Sequence, residues 1–149
     1  MNTKGVVPGK DFIGVGCGAV IVNDKDEVLL LKRGAGARNG QRLWARPGGL
    51  VEFGETAEVA VMREVKEETG LEIEIVERLQ FSELVEEGST HWISLGFLAR
   101  VVSGVAKNLE PDRHDEIKWF PLSNLPENLA KYTRTAIEEC VELLSTPRP

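Results

Sequence analysis

Apolar positions alternate with small or polar ones over residues 15–22, which predicts a strand. The polar cluster 23–27 then reads as a turn and the apolar run 28–32 as the hairpin partner of that strand. Ahead of them, residues 1–11 carry Pro8, glycines and lysines with no period, a loose lead-in. Residues 33–42 hold three glycines and three arginines, which predicts a flexible basic loop. Pro47-Gly48-Gly49 marks a turn into a short extended piece. Thr56 is placed to cap a helix whose apolar residues Ala57, Ala60, Val61 and Val65 share a face, and Gly70 is placed to stop it. Residues 73–85 and 91–102 are strand-rich with a hairpin signal between them. A charged loop over 103–115 leads to a short strand at 117–120 closed by Pro121, and residues 132–144 form an amphipathic helix. This order predicts an α/β fold in which a mixed sheet is flanked by helices on its two faces, as one domain over residues 1–149.

One helix breaks the usual rule for acids. On a wheel of about 100° per residue, Glu64 and Glu68 fall inside the stripe marked by Ala60, Val61 and Val65, and Glu67 falls at its edge. Burying unpaired carboxylates costs several kcal/mol each, on the order of what a buried salt bridge loses with its partner. Either pairing with Arg63 and Lys66 offsets this, or the hard oxygens hold Mg²⁺ or Mn²⁺.

Composition narrows the field further. With 24 acidic residues against 18 basic, the net charge of -6 speaks against stable nucleic-acid binding through backbone phosphates. A small phosphorylated substrate stays compatible if metal supplies positive charge. Cys17 and Cys140 match no zinc spacing and are expected to be buried thiols. The longest apolar run, residues 12–22, is too short and glycine-broken to span a bilayer and lacks a signal cleavage site, so a cytoplasmic protein is expected.

From Gly49 the chain runs five residues to Glu55, seven more to Arg63-Glu64-Val65-Lys66-Glu67-Glu68-Thr69-Gly70-Leu71. This resembles the Nudix box of the Nudix hydrolase (MutT-like) family at every position, and Trp44-Ala45-Arg46-Pro47 and Trp119-Phe120-Pro121-Leu122 look like further landmarks. The resemblance implies a Nudix-type α/β/α sandwich and metal-dependent hydrolysis of a nucleoside diphosphate linked to some group X. Carried over residue by residue, it makes Glu64, Glu67 and Glu68 ligands of Mg²⁺ (or Mn²⁺), together with the carbonyl of Gly48. Arg63 would orient the glutamates, Glu55 would support from behind, and Glu64 is the expected base. Acids of the late loop, Glu110, Asp112, Asp115 and Glu116, are candidates for a further ligand or for the base.

Group X is read from the surroundings. Arg33 and Arg38 are candidates for phosphate contacts, Gly49 lies at the substrate, and Trp44, Phe81 and Trp92 are candidates for stacking on a base. Arg46 stands where the family usually carries an apolar residue, and is expected to pair with Glu52 or another acid or to contact phosphate or base. His91 is expected to be satisfied by its neighbours, and His114 is left without a role. The proline typical of ADP-ribose members, the tyrosine of diadenosine polyphosphate members and the coenzyme A signature are missing, since Pro111 and Tyr132 come too late and Arg42 replaces a glycine. The remainder looks most like enzymes releasing a nucleoside monophosphate and pyrophosphate from a nucleoside or deoxynucleoside triphosphate. ADP-ribose or a nucleoside diphosphate sugar is the alternative substrate, and a non-catalytic nucleotide-sensing module the alternative class, which the intact carboxylates oppose. The final helix or a strand edge could serve a homodimer.

Overall fold

A computed structural model describes residues 5–35, 37 and 41–146. The elements run β1 (Gly14–Ile21), β2 (Glu27–Arg33), β3 (Trp44–Ala45), β4 (Gly48–Leu50), α1 (Ala57–Thr69), β5 (Glu72–Arg78), β6 (Ser82–Glu86), β7 (Thr90–Ser103), β8 (His114–Pro121) and α2 (Lys131–Ser145). Strands β4-β1-β7-β5 form one sheet, with β6 also paired to β7, while β3-β2-β8 form a second. β1 and β7 run parallel and the other pairs are antiparallel. The expected mixed α/β arrangement is therefore present, but divided into two sheets rather than one.

The division corrects the expected hairpin of the first two strands. β1 and β2 share only the bridge from Val22 to Val28, because both edges of β1 are taken by β4 and β7. β2 instead pairs along its whole length with β8. Both strands bury residues on two faces, so each needs cover on both sides. Cys17, Ala19, Ile21 and Leu29 pack under Ala60, Val61 and Val65 of α1, whereas Val20, Val28 and Leu30 pack with Ala136, Ile137 and Cys140 of α2. Cys17 and Cys140 are buried free thiols, as expected. Burial pushes them up to about 11 and about 12, so neither ionises near neutral pH.

The described part of the lead-in, residues 5–11, is more ordered than its composition predicts. The Val7 N–H donates to Asp11 Oδ2 at 2.6 Å, Gly9 N–H to the Phe12 carbonyl at 2.7 Å, and His91 N–H to the Gly9 carbonyl at 2.7 Å. These bonds tie the segment to β7. Among the described residues no helix is long and apolar enough to cross a membrane.

Candidate active site

α1 begins where Thr56 Oγ1 accepts from the Val59 N–H at 3.2 Å and ends at Gly70, whose φ of 78° is the left-handed conformation that a residue with a side chain resists. Its apolar side chains fix its rotation, and that rotation sends three glutamates in graded directions. Glu68 is 4% exposed, Glu64 is largely covered, and Glu67 stands half in solvent.

On the outer side, Arg63 gathers the acids. Its Nη2 and Nε donate to the two oxygens of Glu55 at 2.6 and 3.0 Å, and its Nη1 donates to Glu64 at 3.0 Å and reaches Glu67 at 3.3 Å. Nη2 also donates to the Leu50 carbonyl at 3.0 Å, tying the helix to β4. The pair with Glu55 holds that carboxyl below its ordinary range and raises the guanidinium further above its own.

On the inner side the guanidinium of Arg113 stands farther off, 3.8 Å from Glu110. Glu68 Oε1 accepts from the Gly48 N–H at 2.7 Å. The late loop docks on the helix end through Lys107 N–H to the Thr69 carbonyl at 3.0 Å and Leu109 N–H to the Glu68 carbonyl at 3.1 Å. A tight turn, in which Arg113 and His114 N–H both donate to the Glu110 carbonyl at 3.0 Å, then folds Glu110 and His114 back toward Glu68. Donor atoms of Glu68, Glu110 and His114 all lie within 4.8 Å of one another. Glu110 Oε1 and His114 Nδ1 are buried without a hydrogen-bond partner, and Arg113 Nη1, at 3.8 Å from Glu110, is too far to supply one.

Burial above all, with Glu64 and Glu110 nearby, pushes Glu68 up to about 8. Burial, with Arg33 and Arg113 adding to it, lowers His114 to about 4, so its 3.3 Å contact with Glu68 is not between ions at neutral pH. Burial also raises Glu64, against the pull of Arg63. Glu68, which burial makes reluctant to ionise, together with the unpartnered Glu110 Oε1 and His114 Nδ1, suits a divalent cation.

The remaining predicted residues separate into those brought to this centre and those left outside. Gly49 lies against Glu64, where a Cβ would come within 2.6 Å of both carboxylate oxygens. Arg33 ends β2 opposite His114. Of the late-loop acids, Glu110 reaches Glu68, whereas Asp112, Asp115 and Glu116 are exposed. Trp44 is not in position to stack on a base: it is buried edge-to-face on Phe120, ring centres 4.7 Å apart, under α2. Phe81 is exposed, and the Trp92 ring covers Gly9 and Gly14. Arg38 lies outside the described residues.

Arg46 does not pair with Glu52, which is exposed and donates its N–H to Glu55. Its guanidinium is buried, with Nη2 donating to Ser94 Oγ at 2.7 Å and its carbon 5.5 Å from the centre of the Tyr132 ring. Its Nε has no partner, and burial lowers its affinity for its proton. His114, Ser94 and Tyr132 are residues that the sequence pattern did not single out for the site. A histidine in an acidic loop was the only signal for the first.

The family model of the NUDIX domain matches residues 13–140, and the chain belongs to this family of hydrolases. It is 39% identical over 113 residues to 8-oxo-dGDP phosphatase NUDT18 of Mus musculus, covering 74% of this chain and 33% of that protein. It is 39% identical over 108 residues to an ADP-ribose pyrophosphatase of Methanocaldococcus jannaschii, covering 72% and 62%. The chain thus spans about a third of the first of these curated relatives and under two thirds of the second. Among solved structures, the MutT NUDIX hydrolase from Burkholderia pseudomallei superposes with a TM-score of 0.79 at 38% identity, covering 85% of this chain and 97% of that one.

Proposed function

We propose that this protein hydrolyses a phosphoric anhydride in a nucleoside diphosphate linked to X with the help of Mg²⁺ or Mn²⁺, and that X is phosphate, so that a nucleoside or deoxynucleoside triphosphate gives a monophosphate and pyrophosphate. The observation that carries the reading is the contrast around α1. Arg63 satisfies the outer acids, while Glu68, Glu110 and His114 converge with buried polar atoms left unpartnered and Arg113 no nearer to Glu110 than 3.8 Å. Glu68, Glu110 and His114, with Glu64, Glu67 and the Gly48 carbonyl, would hold the metal. Bound there, it neutralises anhydride oxygens and lowers the pKa of a water. Glu64, partly buried and raised, takes the proton as the water oxygen bonds to phosphorus and the anhydride P–O bond breaks. Arg63 keeps that carboxylate aimed, held in turn by both oxygens of Glu55.

The test follows product release from GTP, ATP, their deoxy forms, ADP-ribose and UDP-glucose with Mg²⁺ or Mn²⁺. Pyrophosphate from triphosphates, absent when chelator is added, is the expected result; release of orthophosphate alone would count against it. A second reading, cleavage of ADP-ribose to AMP and ribose phosphate, is favoured by the name of the Methanocaldococcus jannaschii relative. It opposes the first in the same assay.

A further inference from the structure

On its second face β1 carries no side chain before Val20. Gly14, Gly16 and Gly18 point to one side, opposite Trp92, Ser94 and Gly96 of the parallel neighbour β7. A glycine inside a strand costs roughly 0.5–1 kcal/mol relative to alanine, so four on one face call for a reason. Two side chains occupy part of the space. Arg46 lies over Gly18 and Gly96, leaving no room for a Cβ on Gly18 and bringing Nη1 within 3.0 Å of one on Gly96; the Trp92 ring covers Gly14.

Between them Gly16 stays uncovered. A Cβ there would meet nothing nearer than the Gly49 carbonyl oxygen at 3.6 Å and the Trp92 ring at 3.9 Å. Gly16, Ser94, Trp92 and Tyr132 are all only half-buried, so the gap opens to solvent. From Gly14 to Gly18 the strand rises about 13 Å, so the space between the indole and the guanidinium suits one flat ring system. Gly49, on the edge strand β4, borders the gap with its carbonyl oxygen and meets Glu64 on the other face of the sheet, so the gap and the candidate active site lie on either side of this edge strand.

We infer that Arg46 is a specificity-determining residue, its guanidinium reading the acceptor edge of an oxopurine seated over Gly16 between Trp92 and Ser94. This rests on the proposed nucleotide hydrolysis and names the base. Arg46 is 8% exposed, forms no ion pair among the described residues, and spends one donor on Ser94 while Nε goes without. A buried cation in that state gains most from a partner that accepts two hydrogen bonds without being displaced by water. Guanine and hypoxanthine offer O6 and N7 side by side, whereas adenine places an amino group at the same edge.

The experiment has two arms. Calorimetric binding of GMP and AMP to the metal-free protein reads the slot alone; kcat/KM for GTP and ATP with Mg²⁺ reads it in turnover. Wild type is expected to prefer the oxopurine at least about tenfold in both, Arg46→Met to bring the ratio within about threefold, and Ser94→Ala to lower it part of the way. Gly16→Val, which fills the gap, should weaken both nucleotides. No preference in wild type, or a preference that survives Arg46→Met, would overturn the inference; should that variant not fold by circular dichroism, survival in Ser94→Ala and Gly16→Val does the same. Preferential GMP binding without any hydrolysis sinks the proposed function and leaves the slot standing. Hydrolysis of triphosphates blind to the base does the reverse.

Discussion

Two arginines flank β4, and their surroundings could hardly differ more. Arg63 is partly exposed and donates to Glu55, Glu64, Glu67 and the Leu50 carbonyl, so its proton is held more tightly than in water. Arg46 is buried with a hydroxyl, an aromatic face and an unmet Nε, and burial loosens its proton. The first guanidinium is consumed by the protein's own acids and works by holding them still. The second keeps Nε buried and unpartnered over Gly18, beside the gap above Gly16, so hydrogen-bonding capacity is left unused there.

The largest effect should come from the acids that Arg63 does not reach. Glu68→Gln keeps the shape and the bond from the Gly48 N–H, yet removes the group that would ionise to hold a metal beside Glu110 and His114. Turnover is expected to fall at least about a hundredfold with the circular dichroism spectrum unchanged. Near-normal turnover in a folded variant would end the metal assignment. Arg63→Met should follow, at roughly ten- to a hundredfold in kcat with a smaller change in KM, because the ligands stay and only their aim is lost. If KM moves instead of kcat, Arg63 binds substrate rather than positioning Glu64.

Much of this was legible in the chain, and the reasons differ by region. The wheel placed Glu68 among Val61, Val65 and Ala60, because a helix converts spacing into direction by local geometry alone. Thr56 and Gly70 marked its ends for the same reason. Long-range partners left no such trace. Nothing local in residues 28–32 says that β2 leaves β1 for β8, eighty-odd residues away, since an apolar run fits either neighbour. Trp44 reads as a stacking candidate until Phe120 and α2 close over it. Glu110 stood out among four late-loop acids only once the helix-end carbonyls of Glu68 and Thr69 had anchored the loop. Arg46 was conspicuous as a charge in an apolar position, but its surroundings depend on glycines of β1 and on Ser94, a cross-strand fact.

Acidity offers a finer cut through the same centre. Glu68 titrates near 8 when folded, against 4.5 for the ordinary group, so between those values the folded chain holds a proton that the unfolded chain releases. That stabilisation is complete below about pH 4.5 and is lost as pH rises through 8. His114 works oppositely: at about 4 folded against 6.5 ordinarily, it makes stability rise with pH across that window and is silent above it. The Tm of metal-free protein should therefore fall between pH 7 and 8, Glu68→Gln should flatten the slope, and Mg²⁺ should raise the Tm more at pH 8 than at pH 7, because fewer protons compete. A Tm that is level across pH 7 to 8 in wild type would place Glu68 nearer the ordinary carboxyl range.

The smallest effect separates the two guanidiniums by sign. Removing Arg63 strands Glu55 and Glu64 and should lower the Tm. Removing Arg46 strands no acid, because none is bound to it, and Arg46→Met would lay a flexible apolar chain over Gly18 and Gly96 where a buried cation now lacks a full set of partners. Replacing such a group by a hydrophobic one of similar length is expected to be neutral or to stabilise by about 1 kcal/mol, a Tm gain of roughly 2–4 °C for a domain of this size. The opposing term is Ser94, whose hydroxyl loses its donor, yet half-buried Ser94 can turn to water as the guanidinium cannot. Thermal melts of Arg46→Met beside Arg63→Met decide it: a Tm that drops in both would mean that Arg46 serves the fold, and a Tm that holds in Arg46→Met would mean that this buried charge is kept for a task other than stability.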